Sequence, residues 1–411
     1  MKKVLFIYYH FPPMMGDWRG LGFAKFLPEF GWQPIVISAD ENVNYKKDYS
    51  LLREVPDEIE VHRVGHRETS KEWIYVRKKL RLNYVFPDEY KSWYLPVLKE
   101  ARRILRKEKI ELIFTSSSPF TTAFIGMKLK KEFNIPWIAE FRDTWSGNDF
   151  LNLGYGRTLL KPLRKFLNFR IKRGENSILK AADRTIVLSW HHKQQLCELY
   201  GVKDEKIRVV TNGYNKSDFI ELRPRILYPS KLTIVFIGSS YPGYQEVALK
   251  FAKTVNEIDK DAEVMFIGRG AAAIQDINIP NLTCILHLQK KKALALASGS
   301  DFFFLITLPS AKWHLPIKLY DYLRLGKPIL ALVPEDGDAA KIIKEAKAGF
   351  IISYEHDKMK EQLKNIFDKW KKAEFKDFQP DWKYITQFER IELTKKLVSI
   401  FDEVADRNSS R

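Results

Sequence analysis

The chain has 411 residues, long for one ordinary domain and a natural length for two of about 200 residues each. Its composition, 45% hydrophobic and 13% aromatic, supplies a core for both and excludes wholesale disorder. The net charge of +18, concentrated in residues 1–220, favours anionic partners, whereas two cysteines, Cys197 and Cys284, exclude a disulfide framework and point to a reducing, cytoplasmic setting.

Lys3 to Tyr9 reads as a short buried strand, and the breaker-rich Phe11-Pro12-Pro13-Met14-Met15-Gly16 as the loop after it. The apolar run is too short for a signal peptide and lacks a cleavage site, and no window is apolar enough to span a bilayer, so a soluble chain is expected. Leu21, Phe23, Ala24, Leu27 and Phe30 recur at helical spacing up to Gly31. Residues 33–38, 111–115, 137–141, 185–188 and 207–210 follow as strands, with a helix over 119–133. Val-, Ile- and Phe-rich strands alternating with helices imply a parallel sheet covered on both faces.

At residue 231 the pattern restarts. Residues 232–237 form a strand that runs into Gly238, a turn through Gly243, and a helix over 245–258. Strands at 262–268, 301–306 and 328–332 come next. Two doubly wound units in tandem are predicted, 1–220 and 221–382, joined where Asn212-Gly213, Pro224 and Pro229 punctuate the chain. A stripe from Trp382 to Val404 predicts one closing helix, over about 383–405.

Open α/β sheets bind ligands outside the carboxyl ends of their strands. That rule selects His10, Gly16 and Arg19 after the first strand, Ser116-Ser117-Ser118 after the strand at 111–115, and Arg142-Asp143-Thr144-Trp145 after the strand at 137–141. In the second unit it selects Gly238 to Gly243, Gly268-Arg269-Gly270, and Pro316 to Leu323.

These segments carry a resemblance. His10-Phe11-Pro12-Pro13 with Gly16 and Arg19, the run Glu140 to Asn148, and Thr211-Asn212-Gly213-Tyr214 are similar to the amino-terminal half of glycosyltransferase family 4. Pro316-Ile317-Lys318-Leu319-Tyr320-Asp321-Tyr322-Leu323, Gly326 to Ala331, and Gly337 to Ala340 resemble its donor-binding half. The motifs keep the family's order from residue 4 to about 352.

The resemblance implies an α/β, GT-B architecture: two Rossmann-like domains facing a cleft, with the last helix crossing back to the first domain. It implies a nucleotide-sugar donor, a UDP-sugar in the first instance, on the second unit and a glycan or lipid-linked acceptor on the first. Retention is the family's usual outcome, and neither a metal nor another cofactor is implied. Asp321 matches the acidic residue that accepts from the ribose hydroxyls, and Lys318, one helical turn earlier, would reach the diphosphate while helix-start N–H groups donate to it. Gly238, Ser239, Ser240, Arg269 and Leu319 complete the donor set. Asp143, Arg142 and His10 are the candidate catalytic residues; Gly16, Arg19, Ser117 and Trp145 are the candidate acceptor contacts.

Bland alternatives accompany these roles. Lys318 and Asp321 suit a surface lysine and a helix-start aspartate, Arg142–Asp143 suits a loop brace, and His10 suits loop packing. Two departures from the family pattern bear on the donor site. The position eight before Asp321, usually acidic, is Trp313, and the loop after Gly238 has no basic residue, so Lys318 or Arg269 must supply that charge. Asp336-Gly337-Asp338 reads as a helix start capped by Asp338 rather than a metal site. His62 and His66, in or beside a strand, make poor shared metal ligands.

Seven cations interleaved with apolar side chains over Arg157 to Arg173, and a second basic run from Arg77 to Arg81, predict docking on an anionic membrane, the inner face of the cell membrane. No nucleic-acid recognition pattern accompanies the charge. Two rival functions share the predicted fold: a sugar-nucleotide 2-epimerase, and a non-catalytic binding partner that has lost its phosphate clamp.

Overall fold

The computed structural model describes residues 1–15, 18–67, 86–146, 161–238, 244–268, 271, 274, 277, 279–286 and 288–409. The chain divides into two compact units, residues 1–211 with 390–411, and residues 212–389.

The first unit is built on seven parallel strands: β1 Lys2–Ile7, β2 Trp32–Ala39, β3 Glu60–Val64, β4 Leu112–Ser117, β5 Trp137–Phe141, β6 Arg184–Val187 and β7 Ile207–Val209. Their order is β3-β2-β1-β4-β5-β6-β7, so the winding reverses between β1 and β4. Alternate residues of β1 serve opposite faces, as the period of two requires. Leu5 and Ile7 pack in the cluster that includes Val97, Ile125 and Ile178, from α2 (Tyr94–Lys107), α3 (Thr121–Phe133) and α4 (Lys161–Ala181). Val4 and Phe6 face the cluster built on α1 (Trp18–Phe26) and the carboxyl-terminal helix. Between β6 and β7 lies α5 (Trp190–Tyr200), started by Ser189, whose hydroxyl accepts from the His192 N–H.

The second unit repeats the plan with six parallel strands: β8 Thr233–Ile237, β9 Glu263–Ile267, β10 Leu282–Ile285, β11 Phe302–Ile306, β12 Ile329–Leu332 and β13 Gly349–Ile351. The order is β10-β9-β8-β11-β12-β13, reversing between β8 and β11. Its helices are α6 Tyr244–Ile258, α7 Lys290–Ser298, α8 Ile317–Leu325, α9 Asp338–Glu345, α10 His356–Lys371 and α11 Trp382–Thr386. Aromatic stacking fills the core, with the Phe251 and Phe304 rings 3.8 Å apart.

Three expectations differ from the structure. The closing helix is two helices, α11 and α12 (Arg390–Ser409), because the backbone between them is engaged elsewhere: the Tyr214 N–H donates to the Phe388 carbonyl at 3.1 Å, and Tyr214 bridges Glu389. The units therefore divide at Thr211–Asn212 and Glu389–Arg390, not at 220 and 382, since Tyr214 and Asp218 bond within the second unit. Gly337, not Asp338, caps α9. Asp338 is the first helical residue, buried, with its N–H donated to the Lys312 carbonyl.

As the resemblance implied, α12 belongs to the first unit. Leu393, Leu397, Ile400, Phe401 and Val404 join Val4, Phe6, Leu112 and Phe114 in one cluster. Among the described residues no helix is long and apolar enough to cross a membrane, and no group of His, Cys, Asp and Glu is arranged to hold a metal ion.

Candidate active site

The second sheet reverses beside the end of β8, and four side chains converge there. Gly238, just past β8, has φ of +126°, a conformation that favours glycine, and a Cβ on it would lie 3.1 Å from the Lys318 Cε and Nζ, so the lysine tip lies close against the backbone there. The Lys318 ammonium, from the first turn of α8, sits 3.6 Å from the centroid of the Phe236 ring. Among the described residues no carboxylate lies within ion-pair distance of it. Desolvation lowers its pKa to about 7. His314 hydrogen-bonds the Tyr244 hydroxyl at 3.0 Å; burial and then the Lys318 charge depress it to about 4, which keeps it neutral.

Helix α8 is locked to the strand end that it serves. The Tyr322 hydroxyl accepts from the Ile237 N–H at 2.8 Å, and its ring stacks on Phe303 at 4.5 Å. Asp321 is half-buried, one oxygen 3.7 Å from the Lys290 ammonium, which bonds Asp218 at 2.7 Å. Leu319 departs from its expected donor role: its side chain is fully buried, and its N–H donates to the Pro316 carbonyl. Ser239, Ser240 and Arg269 lie outside the described residues. Phe236, Tyr244 and Lys290 escaped the sequence reading, because strand and helix periodicity accounts for each without a ligand.

In the first unit, Arg142 and Asp143 follow β5. The Arg142 N–H donates to the Ser117 carbonyl at 2.7 Å, its guanidinium donates to the Ser118 carbonyl, and it lies 5.1 Å from the Tyr8 ring centroid. Asp143 is exposed. Arg142 thus ties the ends of β4 and β5 together, next to the exposed Asp143. His10, partly buried, packs against Tyr9, Tyr45 and Tyr90, the nearest centroid being Tyr45 at 4.5 Å.

The proposed acceptor contacts turn inward. Arg19 is buried, donating from Nε and Nη2 to Glu140 at 2.9 and 2.7 Å and to the Val210 and Thr211 carbonyls. The geometry assigns it to the scaffold. Ser117 is fully buried, sharing a 3.0 Å hydrogen bond with Thr122, and Ser116 donates to Glu140 at 2.6 Å. Trp145 stacks on Phe120 at 4.3 Å within the core. Gly16 lies outside the described residues. His62 pairs with Glu60 and Glu100, whereas His66 bonds Tyr9 and Ser92, so the two histidines share no ligand position.

Next to Asp143, the hydroxyls of Ser146 and Tyr200 both donate to the buried Glu175 carboxyl, which burial pushes above its ordinary range. This network moors the loop to α4 and α5.

Two Rossmann-like units, each ending its central strands in a polar cluster, define a GT-B glycosyltransferase fold. Residues 22–218, just under half of the chain, match the family model described as Glycosyltransferase Family 4. No curated protein matches the sequence. Among solved structures, a glycosyltransferase from Rickettsia africae ESF-5 is 15% identical, with 98% of each chain covered and a TM-score of 0.62. The lipopolysaccharide outer core galactosyltransferase WaaB, in its apo form, is 12% identical over 98% of this chain and 99% of its own, with a TM-score of 0.62. A UDP-N-acetylglucosamine 2-epimerase is 14% identical over 100% and 97%, with a TM-score of 0.53. At such identities the likeness establishes the fold.

Proposed function

We propose that the chain is a glycosyltransferase that moves a sugar from a nucleotide-sugar, a UDP-sugar in the first instance, to a glycan or lipid-linked acceptor. We assign it retention of configuration, no metal, and a place in the synthesis of cell-surface polysaccharide or glycolipid. The observation that carries the donor role is Lys318: an ammonium with no carboxylate partner among the described residues, desolvated on an aromatic face, beside a glycine and at the point where the second sheet reverses. A diphosphate supplies the missing counter-charge, and Lys318 then neutralises the leaving group as the glycosidic bond breaks. It takes the place of the basic residue absent from the loop after Gly238. Asp321, steadied by Lys290, accepts from the ribose hydroxyls.

On the first unit, Asp143 orients the acceptor hydroxyl and Arg142 holds the loop. The acceptor oxygen bonds the anomeric carbon as the sugar–phosphate bond breaks, and the acceptor proton passes to the departing diphosphate, so Asp143 orients without taking the proton. Asp321→Ala is expected to weaken nucleotide-sugar binding at least about tenfold, through the loss of a charge-assisted hydrogen bond. Calorimetric affinity unchanged by the substitution removes Asp321 from the ribose role.

The likeness to an epimerase supports a second reading, in which the donor is inverted at a ring carbon with no acceptor present. The family match of the first unit favours transfer. Product analysis of donor incubated without acceptor separates the two.

We also assign the protein to the inner membrane face. On α4, Phe166 and Phe169 are 55% and 60% exposed beside Lys165 and Arg170, a pairing that suits an anionic surface. The side chains of 161–164 and the segments 68–85 and 147–160 lie outside the described residues. Phe166→Ser/Phe169→Ser is expected to reduce sedimentation with anionic liposomes; equal sedimentation excludes this face.

A further inference from the structure

A second charged concavity lies at the opposite end of the first sheet. Its volume is about 420 Å³, and it is lined at the amino-terminal ends of β6 and β7 and the carboxyl-terminal ends of α4 and α5. Lys180, Arg184, Lys203, Lys206, Arg208 and Arg407 face it together with Glu205. The three arginines share one carboxylate, Glu403, at 3.2 Å from Arg208 and 2.9 Å from Arg407. Among the described residues Lys180, Lys203 and Lys206 have no carboxylate within ion-pair distance; the Lys206 ammonium donates to the Lys180 carbonyl at 2.7 Å.

The charge balance points to an absent anion. Six cations against Glu205 and Glu403 leave an excess of four positive charges. The ends of α4 and α5 contribute about one negative charge together, which leaves most of that excess uncompensated. Compensation of helix dipoles alone would not need three arginines on one glutamate. Arg184 is 8% exposed, and among the described residues its Nε has no hydrogen-bond partner, a costly arrangement for a buried guanidinium. Desolvation, and then the nearby Lys130, lower the Lys206 pKa even though the Asp183 charge acts to raise it.

We propose that this cavity binds a phosphate-bearing ligand with two or more negative charges, at a site separate from the donor and acceptor positions. Planar guanidiniums and mobile ammonium groups together suit phosphoryl oxygens. The ligand is either free in solution or the headgroup of an anionic lipid.

The test uses the full chain carrying Lys318→Ala, which removes the proposed donor contact. Inorganic pyrophosphate is titrated calorimetrically, and phosphatidylglycerol vesicles are sedimented against phosphatidylcholine controls. Lys203→Glu/Arg407→Glu, at exposed positions, is compared in each, with Lys180→Glu as an independent charge reversal and thermal melting as the folding check. Pyrophosphate binding weakened roughly tenfold or more by the reversals supports a soluble ligand. Loss of vesicle binding alone supports a lipid headgroup. Binding of both probes unaffected by either reversal, or no binding of either probe, overturns the site.

Discussion

At the scale of the residue, the donor proposal rests on one lysine whose proton is loosely held. An ordinary lysine titrates near 10.5, whereas desolvation brings Lys318 to about 7. Between those values the native state binds fewer protons than the unfolded chain, so this residue makes stability rise with pH from about 7 toward 10.5. A bound diphosphate acts in the opposite sense, because it favours the ammonium. Uridine diphosphate binding should therefore take up a fraction of a proton at pH 8, and affinity should fall as pH increases above about 7. Of the neighbours in the cluster, His314 is neutral across this range, having been pushed down to about 4, so the uptake belongs to Lys318. Calorimetry at pH 8 in buffers of different ionisation heat measures it: a buffer-dependent enthalpy that disappears in Lys318→Met is the expected result. Enthalpies identical across buffers in the parent protein count against it.

At the scale of the element, Arg19 and Glu140 join α1 to β5 in the interior. Both charges are buried and hydrogen-bonded, so removing one partner strands the other. Arg19→Met should cost about 3–5 kcal/mol, and Arg19→Met/Glu140→Leu should recover much of that loss, because an apolar pair of similar volume tolerates the site. Chemical denaturation of the single and double variants provides the comparison. If Arg19→Met left stability intact and impaired only acceptor turnover, the arginine would be a ligand contact after all. The pair also marks the limit of what the residue string discloses. Strand and helix periods locate β1, β4, β5, β8 and β11 and the segments at their ends, and with them Gly238, Lys318 and Arg142. Periodicity does not disclose which way a polar residue at a strand end turns. Arg19, Ser117 and Trp145 lie in loops and ends that suit ligands, yet each is satisfied by the interior through contacts 5 to 192 residues away in sequence. Lys290 and Asp218 are likewise invisible as supports of Asp321, because the fold alone brings 218, 290 and 321 together.

At the scale of the whole molecule, the two units differ in how the chain supplies them. The second is a continuous stretch, 212–389, with its own sheet and aromatic core, whereas the first needs residues 390–411 from the far end of the chain. Helix α12 covers the face of the first sheet that carries Phe6 and Phe114. Phe401 approaches Trp32 at 5.4 Å and Phe114 at 5.5 Å, and ion pairs link Lys2 to Asp402 and Arg184 to Glu403. Without α12, that face is open to water and Arg184 keeps its charge without its carboxylate. Loss of one large buried ring costs about 3–5 kcal/mol, already a large part of the about 5–15 kcal/mol that holds a domain folded. The fragment 212–389 is therefore expected to melt cooperatively by itself. The fragment 1–211 should lack a cooperative transition until 390–411 is co-expressed with it, and Phe401→Ala in the full chain should lower only the transition assigned to the first unit. Circular dichroism melts of the four preparations decide the matter. A cooperative 1–211 would mean that α12 adorns a unit that is already complete, and a molten 212–389 would mean that the second core depends on residues outside it.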